Sequence, residues 1–189
     1  MSRGPGEGRH GEVDASVRGP QATPVVERWS PEHPRFAELL DVVAGEQQTR
    51  YLGFAADWHL SSHVLVALDG TEVVGFLRFV VQHIGTDDDL PPVRLRGEAL
   101  TEAKVIAFGV VPRARRRGFG TELQRAALAW ATELGCFQVR SRSDGDRPEN
   151  HELKLKMGFG VHPAPRGDDT ASVYFVMPLR APRGRHGAG

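Results

Sequence analysis

The chain has 189 residues, of which 40% are hydrophobic and 25% charged, enough for one domain with a proper core and unlike a disordered or fibrous composition. Lys plus Arg and Asp plus Glu each total 24, so the zero net charge gives no overall attraction to nucleic acid or to a membrane surface. A single cysteine, Cys136, excludes an intrachain disulfide and a cysteine-rich metal site, and no apolar run approaches the ~20 residues that cross a bilayer.

Residues 1–23 are rich in Gly, Arg and Glu and nearly devoid of large apolar side chains. They cannot bury enough surface to offset ordering entropy, and they lack the apolar centre of a secretory signal. A mobile tail is expected there and at 180–189, with one domain over 24–179 in a soluble, cytoplasmic protein.

Residues 24–28 predict a short strand. Phe36, Leu39, Leu40 and Val43 have helical spacing within 34–45, and 47–58 predicts a second helix with Phe54 and Trp58 facing the core. Two β-branched runs, 63–68 and 71–81, flank Asp69-Gly70, a strong hairpin signal. The polar connection 82–101 carries Asp87, Asp88 and Asp89, read as a solvated loop or as an attractant for a cationic amine. A strand at 103–111 ends at Pro112, which lacks a ladder donor.

The best helix is 118–134, with Phe119, Leu123, Ala126, Ala127, Trp130 and Leu134 on one face and Glu122, Gln124, Arg125 and Glu133 turned away. Gly135 suits its C-terminal end. Trp130 reads as a packing residue and Cys136 as a small buried hydrophobe. A strand at 137–143, a helix at 148–157 and a strand at 173–177 come next. An antiparallel hairpin followed by alternating strands and helices defines a mixed α/β (α+β) domain around a sheet of six or seven strands.

Residues 110–120 join the central strand to the best helix. The first amides of a helix have no internal partners, and the helix dipole makes that end positive. Gly118 and Gly120 let a bulky anion approach the backbone, and Arg113, Arg115, Arg116 and Arg117 add charge. A pyrophosphate is the ligand best suited to this arrangement. With zero net charge and no run of aromatic residues to stack on bases, the arginine cluster does not read as a nucleic-acid site.

The run Arg115-Arg116-Arg117-Gly118-Phe119-Gly120, behind an apolar strand and Val111-Pro112, resembles motif A (R-x-x-G-x-G) of the GNAT N-acetyltransferase superfamily. The segment from Asn150 to Gly158-Phe159 is similar to motif B of that family, in the same order along the chain. The resemblance implies an acetyl-CoA-dependent transfer of an acetyl group to a primary amine of a small molecule or peptide. It implies that backbone groups of Val110 and Val111 bind the pantetheine arm. Amides of Arg115, Arg116, Arg117, Gly118, Phe119 and Gly120, with Thr121, would hold the CoA pyrophosphate. Arginine side chains would meet the 3′-phosphate or be solvated. Asn150 would bond the cofactor's amide arm or act as a local cap.

Acetyl transfer requires a neutral amine, which at pH 7 costs about 4–5 kcal/mol for a free alkylamine, so a base or a desolvated site is needed. The resemblance implies a strand amide, that of Val110, for the developing oxyanion. Where some relatives carry a strand glutamate, this chain has Lys104. Glu102, two residues earlier on the same face, is the first candidate base, ahead of Glu98 and His83; otherwise it is a partner of Lys104 or a solvated carboxylate. Where many relatives place a proton-donating tyrosine, this chain has Lys154, either a donor held near the thioester or an exposed helix charge. His151 lies near enough in sequence to assist, or is structural.

The acceptor would enter opposite the cofactor, past Phe54, Trp58, His59 and residues 83–92. Use of a longer acyl-CoA, or cofactor binding without catalysis, are the alternatives. Dimers are common in the family, so the resemblance also allows a homodimer.

Overall fold

The Asp69-Gly70 turn folds two apolar runs onto each other. In the computed structural model, which describes residues 24–145, 147–163 and 172–179, β2 (Ser61–Asp69) and β3 (Glu72–His83) pair antiparallel and close on Asp69 opposite Glu72. Gly70 has φ 61°, a conformation open to a residue without Cβ. The two terminal segments expected to be mobile lie outside the described residues.

β1 (Val25–Trp29) borders β2, and β6 (Thr101–Val110) borders β3. β7 (Gln138–Ser143) runs parallel to β6, while β9 (Val173–Pro178) and β8 (Gly160–Pro163) complete the far edge. The seven-stranded mixed sheet has the order β1-β2-β3-β6-β7-β9-β8. Helix α3 (Phe119–Glu133) is the crossover between the parallel strands β6 and β7. Helices α1 (Phe36–Gly45), α2 (Thr49–Leu52) and α4 (Pro148–Lys156) complete the domain.

Several expectations change in detail. The second helix shrinks to α2, and Phe54 and Trp58 lie beyond it, 46% and 44% exposed rather than facing the core. The polar connection before β6 holds a small hairpin, β4 (Arg94–Leu95) with β5 (Glu98–Ala99). Strand β8 was not expected. On α3, Gln124 is fully buried and Leu134 exposed, the reverse of their assignment, because Gln124 shares the buried face of Ala127 and Ala131 while Leu134 stands at the C-cap past the last packed turn. Trp130 does pack, against His63, Phe79 and Arg28.

β6 contains one extra residue. Arg78 pairs with Ala107 and Phe79 with Val105, leaving Ile106 as a bulge. The bulge reverses which face successive side chains meet. Ala103 and Val105 join the core under α3, whereas Ala107 joins the core under α1. The β6–β7 ladder covers only Glu102 with Gln138 through Val105 with Ser141. Beyond that point β6 runs on to Val110 with its edge turned away from β3, while β7 continues beside β9.

Before the bulge, the α1 side of the sheet carries a buried ionic network. Glu102, with no exposed surface, accepts from Gln82 Nε2 (3.0 Å) and Gln138 Nε2 (2.8 Å), its register neighbours on β3 and β7. Arg140 adds bonds from Nε (3.0 Å to each carboxylate oxygen) and Nη2 (2.7 Å). Arg140 also binds Asp87 and, through Nη1, Asp88 at 3.1 Å, while Lys104 pairs with Asp87. Burial opposes the charge of Arg140, but Glu102 and Asp87 outweigh it and raise its pKa. Asp87 also resists its own burial, with Lys104 and Arg140 pulling its pKa below the usual value. Asp87 and Asp88 are therefore neither a solvated loop nor free to attract an amine.

Cys136 is buried after α3, and desolvation pushes its thiol up to about 11. Glu102→Ala leaves the guanidinium of Arg140 buried without its main partner, and such losses cost about 3–5 kcal/mol. Urea unfolding should show a loss of that order.

Candidate functional site

Where β6 and β7 part, the sheet opens a cleft walled on one side by the outer edge of β6 and on the other by β7 and α4. The cleft leads from the Val105–Ser141 pair to the N-terminus of α3. At that mouth the sequence builds an anion cradle. Pro112 begins a 3₁₀ turn, Arg116 takes φ 62° and Gly118 φ 92°, and Gly118 is the N-cap of α3 with no side chain to cap it. A non-glycine residue at positive φ is strained, and alternation of this kind turns successive N–H groups toward one point. A Cβ on Gly120 would sit 3.3 Å from the Phe108 ring, a tight contact, and 3.5 Å from Leu153 of α4, so a side chain here would need the Phe108 ring to shift by a few tenths of an ångström.

The arginines are less free than their number suggests. Arg115 donates through Nε to Val110 O (2.8 Å) and through Nη2 to Glu46 (3.0 Å). Arg117 forks onto Asp69 at 2.7 and 3.2 Å, and Arg113 pairs with Glu72. Arg116, 79% exposed in its side chain, faces Glu152 of α4 across the mouth at 3.9 Å. Phe119 buries its ring in the core, which leaves its amide, beside that of the half-buried Thr121, for the cradle.

The backbone of β6 also departs from expectation. Val111 donates to Val74 O (2.9 Å) and accepts from Ala114 N (2.9 Å), so neither of its groups is left for a ligand. Because strand residues alternate, the groups of Phe108 and Val110 point the other way, into the cleft. Val110 O is held by Arg115, leaving its N–H facing the opening. Phe108 N and O are both held by Gln48, at 3.1 and 2.8 Å.

The opposite wall is polar and ordered. Ser143 Oγ meets Asn150 Nδ2 and His151 Nε2, each at 3.0 Å. The His151 ring lies 5.1 Å from that of Phe175. Asn150 Oδ1 and both amide atoms of Gln124, four residues along α3 from Gly120, are buried without a protein partner. Buried polar atoms left this way call for a ligand or water.

Lys154 is the most unusual group. Far from being an exposed helix charge, it is 1% exposed. Its Nζ donates to Ser141 Oγ at 2.7 Å and lies 5.0 Å from the centre of the Phe175 ring. Ser141 is the last β7 residue in the ladder with β6, so the ammonium stands at the apex of the cleft. Desolvation lowers its pKa to about 7.

The structure thus brings Lys154, Asn150, His151, Val110 and the cradle amides to one cleft, and sets Glu102 apart in its ionic network. Both oxygens of Glu102 are engaged and buried, which leaves it unsuited to collect a proton from a substrate. Glu98 is exposed on β5, and His83 sits at the end of β3 with Nδ1 buried and unpartnered. Ser141, Ser143, Gln48 and Gln124 went unnoticed as site residues in the sequence. The spacing of Val139, Ser141 and Ser143 does mark one face of β7 as polar toward its end; nothing comparable marks Gln48.

A parallel pair that parts beside a glycine-capped helix N-terminus is an architecture for holding an extended ligand with an anionic end. The sequence matches the model of the acetyltransferase (GNAT) family over residues 25–159. The chain belongs to that family of acetyltransferases, for which acetyl-CoA is the co-substrate. Arabidopsis thaliana NAA60 in complex with acetyl-CoA is 16% identical, with a TM-score of 0.62 over 83% of this chain and 99% of that one. The ribosomal-protein-S18-alanine N-acetyltransferase of Escherichia coli is 14% identical, with a TM-score of 0.56 over 87% and 100%. The IAA acetyltransferase of Bacillus cereus is 17% identical, with a TM-score of 0.55 over 83% and 100%. At these identities the likeness is one of fold. No curated protein matches the sequence.

Among the described residues no helix is long and apolar enough to cross a membrane, and no group of His, Cys, Asp and Glu could hold a metal ion.

The lowered pKa of Lys154 makes stability depend on pH. An unfolded lysine titrates near ~10.4, so between about 7 and that value the unfolded chain binds more protons than the folded one. Stability therefore rises with pH across this window, and the penalty is complete below it. Lys154→Met should raise the melting temperature most near about pH 6, with the advantage over wild type shrinking toward about pH 10.

Proposed function

We propose that the chain transfers the acetyl group of acetyl-CoA to a primary amine of a small molecule or peptide, with Lys154 as the proton donor to the departing sulfur. The observation that carries this reading is the ammonium at the apex of the cleft, buried, bonded to Ser141 Oγ and without a carboxylate partner among the described residues.

The cleft fits an acyl-CoA on grounds internal to the chain. The uncapped amides from Arg116 to Thr121 suit a pyrophosphate, with Arg116 above them for a further phosphate. The orphaned Oδ1 of the half-buried Asn150 suits an amide N–H of the pantetheine arm. The outward N–H of Val110 supplies a donor on the β6 edge.

The amine nitrogen attacks the thioester carbonyl carbon, the C–S bond breaks, and the sulfur takes a proton from Lys154. The amine loses its own proton to solvent, and solvent recharges Lys154, so the products are an amide and the free thiol. The energetics favour this donor. A CoA thiol resembles cysteine, near ~8.5, and an ordinary lysine near ~10.4 would be the weaker acid. Burial brings Lys154 to about 7, below the thiol, and the transfer becomes downhill. Glu102 has no place in this sequence of steps. The exposed rings of Phe54 and Trp58, beside His59, give the acceptor an apolar approach on the α1 side.

Two measurements test the proposal. Calorimetry should show acetyl-CoA binding that Gly118→Glu weakens at least about tenfold, through its charge and its position at φ 92°. With an amine acceptor in hand, kcat should fall as pH rises through about 7, and Lys154→Met should lower kcat roughly 100-fold and erase that limb. A variant that kept kcat and its pH profile would refute the role of Lys154.

A further inference from the structure

The connection between α1 and α2 is laid over the outer edge of β6. Glu46 pairs with Arg115 and packs its Cγ 3.2 Å from where a Cβ on Gly109 would stand. Gln47 takes φ 58°, strained for a residue with a side chain. This turn aims the next residue, Gln48, at the strand. Gln48 Oε1 accepts from Phe108 N at 3.1 Å, and its Nε2 donates to Phe108 O at 2.8 Å. A primary amide joined to both groups of one residue copies what a neighbouring strand would supply.

We propose that Gln48 is a built-in placeholder on the β6 edge, occupying the Phe108 groups until the acyl-bearing arm of the co-substrate takes them. This inference rests on the acetyl-CoA reading above. Phe108 and Val110 are the residues of β6 past the bulge whose backbone groups turn into the cleft, two apart, the spacing at which an extended chain carrying amides pairs with a strand. Of their four groups, Val110 O is tied to Arg115 and both groups of Phe108 to Gln48. An arm lying along this edge must compete with Gln48 for the two bonds nearest the apex, and Gln48 gives way by a side-chain rotation. Glu46 stays tied to Arg115, and α2 with the residues after it stays anchored, because Arg78 donates to Tyr51 O and Phe54 O, each at 2.6 Å. Displacement then frees the Gln48 amide over the reaction centre on the side from which the acceptor approaches, so cofactor entry and acceptor seating are coupled at one residue.

Gln48→Ala removes the competitor and leaves the part-buried Phe108 groups to water, so its melting temperature should fall by no more than about 2–4 °C. Calorimetry with acetyl-CoA should find the variant binding about tenfold tighter, as expected when two neutral hydrogen bonds need not be exchanged. Backbone exchange adds a second reading. The Phe108 amide should be protected in the free wild type, exposed in free Gln48→Ala, and protected again in both once acetyl-CoA is added. Equal or weaker binding by the variant, or a Phe108 amide as protected in the free variant as in wild type, would overturn the placeholder while leaving the acetyl-CoA reading intact. Failure of both proteins to bind acetyl-CoA at 1 mM would overturn that reading and the placeholder with it.

Discussion

The extra residue in β6, Ile106, interrupts the β3–β6 register, and just before that point the β6–β7 ladder stops. A parallel pair that stayed together to Val110 would bury its edges in hydrogen bonds and leave no cleft. The bulge also exchanges the faces of β6. Residues before it send Glu102 and Lys104 into the ionic network on the α1 side, whereas Phe108 and Val110, after it, share the core with α3. The cradle, the cleft and the polar wall of α4 all take their positions from this break in regularity.

The domain buries two kinds of charge and treats them differently. Glu102 and Arg140 are placed together, satisfied by one another, by two glutamines and by Asp87 and Asp88; such a group is costly to disturb and has no valence left for a ligand. The buried Lys154 ammonium meets a serine hydroxyl and a ring face, with no carboxylate beside it among the described residues. An ion in such surroundings sheds its charge readily, which is unfavourable for stability and useful for proton transfer. The contrast between these two sites comes from their neighbours, not from their depth.

Much of the fold was legible because it rests on local signals. Asp69-Gly70 marked the hairpin, Gly118 and Gly120 behind an apolar strand and Pro112 marked the turn into α3, and Gly135 marked its end. The family resemblance lay in the same turn and in the Gly158-Phe159 end of motif B. The features that escaped depended on partners distant in sequence. Glu102 looked like a candidate base because its neighbours Gln82, Gln138 and Arg140 become neighbours only through strand register. Val111 looked available until Val74 and Ala114 took its backbone groups. Lys154 sits on a helix of charged residues, and only the tertiary wall of Ser141 and Phe175 makes it a buried one. The exposure of Phe54 and Trp58 came from the early end of α2, whose anchoring by Arg78 no local pattern announces.

Cys136 sits where α3 hands over to β7, sealed in the core with its thiol held in the protonated state well above neutrality. A reagent that reacts with thiolates therefore finds almost nothing to react with on the folded protein. Acyl transfer from a CoA thioester releases one sulfhydryl per turnover, and in this chain that sulfhydryl would be reported against a chemically silent background. Colour from such a reagent in the absence of turnover would instead register unfolding, so the same sulfur that contributes packing to the core also serves as a gauge of its integrity.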